Sequence, residues 1–322
     1  MTQPPRDSSL WPDSHATPRS FFATTLCQDL DRLEAQVAFL GVPFDQGTLA
    51  RPGARYGPNA IRDARVYSYV DIHEGTVAGG YWDPAAGRQQ LAGVTMADCG
   101  DVNIVPSEVE RNFLRLTRTV EKVLDRGVFP VIVGGDHAIT YPIVRALERY
   151  KPLDIVHFDA HMDYVHDYQG VLFSHGSPMR RCSELPFVRH ITSIGVRDFK
   201  RRPYQEAVAR GNLVISADEF RRLGPAAVVQ QIPASQHLYV TIDIDCLDPS
   251  VAPGTGTPVP GGLTYLEVRD TLRLLPGKGK AVAFDVVEVA PNYDWAELTS
   301  RVAARLIIEF LTVLFPPTAE SK

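Results

Sequence analysis

Short β-branched apolar runs alternate along this chain with longer amphipathic segments, and that alternation narrows the possible folds more than any other feature. The pattern predicts strands over 37–42, 94–97, 128–133, 153–158, 188–196, 213–216, 236–242 and 280–287, with helices over 58–66, 107–126, 136–149, 264–275 and 298–315. Strands separated by helices pair in parallel, because each return connection needs a dozen or more residues, and the connecting helices then cover both faces of the sheet. The expected fold is α/β: three α/β/α layers around a mostly parallel central sheet. Pro4, Pro5, Pro12 and Pro18 among many Ser, Thr and Asp residues mark 1–30 as a partly ordered surface arm. No repeat or long linker divides the remainder, so 31–322 reads as a single domain.

The bulk numbers exclude several classes of function. With 33 Lys+Arg against 38 Asp+Glu the formal charge is only -5, which offers no electrostatic footprint for nucleic acid or an anionic membrane. No apolar stretch reaches the roughly 20 residues of a membrane span. The four cysteines lack CxxC spacing, and the start of the chain lacks a charged segment followed by an apolar core, so a cytoplasmic protein with reduced thiols is expected.

Two segments carry chemistry at the ends of predicted strands: Asp159-Ala160-His161-Met162-Asp163, and Asp243-Ile244-Asp245-Cys246-Leu247-Asp248. In extended backbone alternate side chains share a face, so Asp159, His161 and Asp163 point one way, as do Asp243 and Asp245. Four carboxylates in a partly buried cleft repel one another and lose solvation unless cations neutralise them. Each segment opens a long predicted loop, 162–186 or 245–262, and in open α/β sheets the site lies beyond the carboxyl ends of the strands. A third strand runs into Gly134-Gly135-Asp136-His137. His137 is either a further ligand or a hydrogen-bonded core histidine with Asp136 only a helix N-cap. Taken together, His137, Asp159, His161, Asp163, Asp243 and Asp245 exceed what one metal takes, and four carboxylates balance two divalent cations. Oxygen-rich ligation with two imidazoles and no thiolate suits manganese better than structural zinc, with iron, cobalt and nickel as alternatives. Two such ions about 3.5–4 Å apart activate water near neutral pH, which points to hydrolysis.

These motifs, with Ser174-His175-Gly176, Ala252-Pro253-Gly254-Thr255-Gly256-Thr257-Pro258 and Asp285-Val286-Val287-Glu288-Val289-Ala290-Pro291, resemble the ureohydrolase family of arginases and agmatinases, agmatinases most closely. The resemblance implies an arginase-like fold and two manganese ions per subunit. One would be held by His137, Asp159, Asp163 and Asp243, the other by Asp159, His161, Asp243 and Asp245. It further implies that Glu288 binds the substrate guanidinium, that His175 assists proton transfer to the leaving amine, and that Asp163 relays a proton. The implied reaction is guanidino hydrolysis to urea and an amine in a homotrimer or homohexamer. Agmatine, yielding putrescine for polyamine metabolism, is the favoured substrate.

Val165, Val171 and Lys200 stand where arginases place polar or acidic readers of the amino-acid head group, so arginine is disfavoured. Asp167 could attract agmatine's terminal amine, whereas Arg197, Lys200, Arg201 and Arg202 could favour a guanidino acid such as guanidinobutyrate or guanidinopropionate. Outside this class stand a non-catalytic polyamine- or protein-binding pseudoenzyme and a single-zinc amide hydrolase. His157 reads as a packed strand residue, Arg51 and Arg55 as loop-shaping and ion-pairing residues, and Cys99 and Cys246 as space-filling thiols.

Overall fold

The computed structural model describes residues 19–64, 71–73, 76–84 and 86–316. In chain order its strands are β1 (Thr25–Leu26), β2 (Val37–Val42), β3 (Asp71–His73), β4 (Thr76–Asp83), β5 (Arg88–Gln90), β6 (Met96–Asp101), β7 (Phe129–Gly134), β8 (Leu153–Phe158), β9 (Val188–Val196), β10 (Leu213–Ser216), β11 (His237–Asp243) and β12 (Lys280–Val287). Nine of them form one sheet in the order β1-β6-β2-β7-β12-β11-β8-β9-β10, parallel at every pairing. The other three form a small antiparallel sheet in the order β3-β4-β5, which the sequence pattern does not predict.

Strand β2 shows why the sheet is covered on both sides. Every residue of Val37–Val42 is buried. Val37 and Phe39 pack into one core with Ile61 of α1 (Gly57–Asp63), Val228 of α6 (Ala217–Gln231), Leu272 of α7 (Tyr265–Leu274) and Ile307 of α8 (Leu298–Leu314). Ala38, Leu40 and Val42 enter the opposite core with Leu116 of α2 (Val109–Asp125), Ile143 of α3 (Thr140–Arg145), Met179 of α4 (Pro178–Ser183) and Ala207 of α5 (Arg201–Ala209). Side-chain alternation at period two thus feeds two helical layers from one apolar run, which is the three-layer α/β/α fold expected.

Several boundaries and elements differ from expectation. The helix predicted over 136–149 is a 3-10 turn at His137–Ile139, the short α3 and a second 3-10 turn at Glu148–Tyr150. Extended backbone at Lys151, directly before Pro152, ends it. Helix α4 lies inside the predicted 162–186 loop, and α5 and α6 went unpredicted. Gly224, at φ 75°, and Pro225 interrupt the α6 periodicity. Polar composition also misleads near the start of the chain: Phe21 and Phe22 are buried with ring centroids 5.5 and 5.3 Å from that of Phe39, and β1 extends the sheet edge. Residues 1–18 of the predicted arm lie outside the described residues.

Candidate metal centre

Strands β7, β8, β11 and β12 are neighbours in the middle of the sheet, and their carboxyl ends carry the charged residues to one edge. After β7 the chain passes Gly135, where an added Cβ would lie 1.7 Å from the Phe44 carbonyl oxygen, so only glycine permits this approach. Asp136 then N-caps the following turn by accepting from Ala138 N at 3.0 Å, and its other oxygen accepts from Gly47 N at 2.7 Å. That bond draws the 45–49 loop over the site, and His175 N donates back to the Gly47 carbonyl at 3.0 Å. Burial and the charge of Glu288 push Asp136 up to about 7.

His137 projects from this turn fully buried. Its Nε2 meets Thr241 Oγ1 at 3.0 Å, while Nδ1 faces Asp163 Oδ2 at 2.9 Å and Asp159 Oδ2 and Asp243 Oδ2 at 3.2 Å each. None of the three contacts with Nδ1 has hydrogen-bond geometry. An orphaned buried nitrogen ringed by three carboxylate oxygens has the chemistry of a cation site. A second group brings His161 Nδ1 to 3.3 Å from Asp159 Oδ1 and 3.2 Å from Asp245 Oδ2. Asp159 belongs to both metal-competent groups, with His137, His157 and Asp163 in one and His161 and Asp245 in the other. The six predicted ligands therefore converge.

The carboxylates are locked from behind. Asp159 accepts from His161 N at 2.6 Å and meets His157 Nε2 at 2.8 Å, and His157 Nδ1 meets Ser193 Oγ at 3.0 Å. His157 is thus packed and hydrogen-bonded as expected, but it also orients a site carboxylate, which strand patterning alone does not reveal. Asp243 accepts from Asp245 N at 2.9 Å, and Asp245 accepts from Ala160 N and Thr257 Oγ1 at 3.1 Å each. Burial, reinforced by the charges of Asp245 and Asp159, pushes Asp243 well above the usual carboxylate range. Burial acts the same way on Asp159, yet the charge of His157, its hydrogen bond at 2.8 Å and the nearby His137 and His161 rings hold it well below. Carboxylates driven apart in this way lack sufficient positive charge, and the donor set fits divalent cations.

Beside this cluster, Glu288 Oε1 accepts from His137 N at 2.9 Å and lies 3.0 Å from His175 Nδ1, whereas Oε2 has no partner among the described residues. Burial lowers the His175 pKa, but the hydrogen bond and charge of Glu288 outweigh it and raise the value to about 9. Leu49 N lies 3.3 Å from His175 Nε2, a contact that only the neutral ring accepts, so loss of the proton gains one bond as it weakens the charge pair. Asp163 and Glu288 both have positive φ, 47° and 64°, a costly conformation for residues with a side chain.

A cleft of about 220 Å³ opens onto His161, Asp163 and Asp243, with His175 in its wall. Glu288, 2 % exposed, lies behind His175 and outside that wall. Asp167 is not among the lining residues either; its carboxylate lies 3.0 Å from His166 Nδ1 and accepts from Gly170 N at 2.9 Å. Arg55 pairs with Asp45, and Arg51 stacks 3.9 Å over the Tyr293 ring, both as expected of loop-shaping residues.

Residues 35–312 match the Arginase family. The chain is 36 % identical to the mitochondrial guanidino acid hydrolase of Homo sapiens over 285 residues, which cover 86 % of this chain and 78 % of that protein. It is 34 % identical to the agmatinase of Bacillus subtilis over 280 residues, which cover 86 % and 91 %. The solved structure of proclavaminate amidino hydrolase from Streptomyces clavuligerus superimposes with a TM-score of 0.80 at 32 % identity, covering 94 % of this chain and 99 % of that one. Family match, sequence likeness and shared architecture agree: the chain belongs to the arginase family of hydrolases.

Proposed function

We propose that this protein is a manganese-dependent hydrolase that cleaves a small linear guanidino compound to urea and an amine. The observation that carries the proposal is the orphaned His137 Nδ1, ringed by Asp159, Asp163 and Asp243 and joined through its own backbone N–H to Glu288. His137, Asp159, Asp163 and Asp243 would hold one cation and Asp159, His161, Asp243 and Asp245 the other. When bound, the pair supplies Lewis-acid and water-activating chemistry near neutral pH.

The remaining roles fall to the chain's own groups. Glu288 keeps one oxygen on His137 N and offers the other to a guanidinium, a planar cation suited to charge-assisted pairing. His175, whose pKa the Glu288 hydrogen bond and charge raise, would donate a proton to the departing nitrogen. Asp163, 8 % exposed and lining the cleft, would take up a proton from the attacking water. Leu49, Tyr164, Val165 and Phe199 make the wall largely apolar, which suits a methylene tail and excludes bulk water.

Relatives two percentage points apart in identity are named for agmatine and for guanidino acids, so likeness alone does not choose the tail. Agmatine remains the substrate favoured by the motifs, and guanidinobutyrate or guanidinopropionate the alternative. Assembly as a trimer or hexamer belongs to the same proposal and is measured by sedimentation. Urea release from agmatine, arginine, 4-guanidinobutyrate and 3-guanidinopropionate, with and without added manganese, tests the function. Manganese-dependent urea from at least one is expected, and none from any would sink the proposal.

A further inference from the structure

The cleft wall contains two charged residues outside the proposed catalytic set, Asp198 and Lys200. They lie in the basic run that sequence alone leaves unsorted. Arg197 is occupied, its guanidinium donating to the carbonyls of Gly195, Asp245, Cys246, Leu247 and Val259. Arg202 pairs with Glu206 at 2.8 Å, and neither it nor Arg201 lines the cleft. Lys200 does line it, and its ammonium has no ion pair or hydrogen bond among the described residues.

We infer that Lys200 selects substrates whose tail ends in a carboxylate, making the preferred substrate a linear guanidino carboxylic acid rather than a guanidino amine. The inference rests on the guanidino-hydrolase reading and adds the end of the substrate remote from the reaction. The proposed proton-transfer and cation-binding residues and the apolar residues account for most of the lining, which leaves the exposed Asp198 and Lys200 as the charged groups that can read a tail terminus. Asp198 is the opposing candidate. Its backbone N–H is fixed to the Ala160 carbonyl at 3.0 Å, and its short side chain stays near that root, whereas the four-carbon stem of Lys200 can follow the tail. The start of α5 adds to the lysine, because the helix begins directly after Lys200 with Arg201 and has no acidic residue in its first turn. The expected amine reader, Asp167, is outside the wall.

Agmatine and 4-guanidinobutyrate have similar lengths and opposite terminal charges, which makes them the discriminating pair. With the manganese-loaded full chain, kcat/KM should be higher for 4-guanidinobutyrate. Lys200→Met should raise its KM about tenfold with kcat nearly unchanged, the signature of lost uniform binding. Lys200→Glu should raise it further and turn the preference toward agmatine, and Asp198→Asn should not weaken the acid. Calorimetric titration of a non-hydrolysable linear carboxylate, 5-aminopentanoate, into each manganese-loaded variant gives the same ordering independently of turnover, with circular dichroism and metal content confirming an intact fold. Preference of the unmodified protein for agmatine, or an unchanged KM for the acid in both Lys200 variants, would overturn this inference alone. Absence of urea from every guanidino compound would overturn the hydrolase reading and this inference with it.

Discussion

The two ends of the central strands make opposite use of the same sheet. At their carboxyl ends, β7, β8, β11 and β12 converge on a cleft of about 220 Å³ whose floor holds buried carboxylates and imidazoles with displaced pKa values. At the amino ends, Phe129 of β7 and Lys280, Ala281 and Val282 of β12 border a larger cavity of about 800 Å³, edged by Gly127, Gly277 and Gly279. Among the described residues the larger space has no convergent set of acids and bases: its lysines are Lys278, which donates to the Gln230 carbonyl at 3.0 Å, and Lys280. Volume alone therefore points to one end, and desolvated groups held in mutual opposition point to the other, where the proposed site lies. Parallel strands make the asymmetry possible, because every loop that follows a strand opens on the same edge.

The contrast can be broken most forcefully at Asp243. Asp243→Ala should remove bound manganese and lower urea release by at least about 10³-fold; full metal stoichiometry by plasma mass spectrometry with near-normal turnover would refute the assignment of this end. Glu288→Gln should keep the metal while lowering kcat/KM by about 10²-fold or more, because a neutral amide replaces the partner of the guanidinium. It should also lower the His175 pKa. The His175–Glu288 pair stabilises the folded chain fully below about 6.5, and that contribution fades as pH rises through about 9. The melting-temperature gap between the unmodified protein and Glu288→Gln should accordingly narrow from pH 6 to pH 10, and a constant gap would count against the pair. His157→Phe keeps an aromatic ring but removes the hydrogen bond to Asp159, so metal affinity should fall about 10- to 100-fold, readable by competition with a chelator. At the opposite edge, Lys278→Ala and Lys280→Ala should leave turnover unchanged and stability within about 0.5 kcal/mol. A large loss of activity there would erase the distinction between the two ends.

Much of this was legible because the strands follow a periodic pattern and the site residues stand just beyond their carboxyl ends. β2, β8, β9, β10 and β12 have the bounds that their apolar runs predict, since a strand buried on both faces leaves a continuous signal. The six proposed ligands come together, but not by the alternation that first suggests them. β8 ends at Phe158, Asp163 has left-handed backbone, and Asp245 sits in a 3-10 turn capped by Asp243, so loops rather than pleats converge the carboxylates. His157 was hidden because a histidine in an apolar strand gives no hint of which neighbour its ring meets. Lys200 was named together with three arginines, and what sets it apart, occupation of Arg197 by loop carbonyls and of Arg202 by Glu206, depends on tertiary contacts. The aromatic pair Phe21 and Phe22 was masked by the polar residues around it.

The left-handed backbone at Asp163 and Glu288 places conformational comfort and chemistry in conflict. Each position would relax by roughly 1–2 kcal/mol if it were glycine, so a stabilisation campaign guided only by backbone preference would select glycine at both. The resulting protein could fold more robustly than its parent while lacking the carboxylates proposed to move the proton and to hold the guanidinium. Thermal tolerance is therefore a poor surrogate for competence in this chain, and libraries built to improve it need these two codons held fixed.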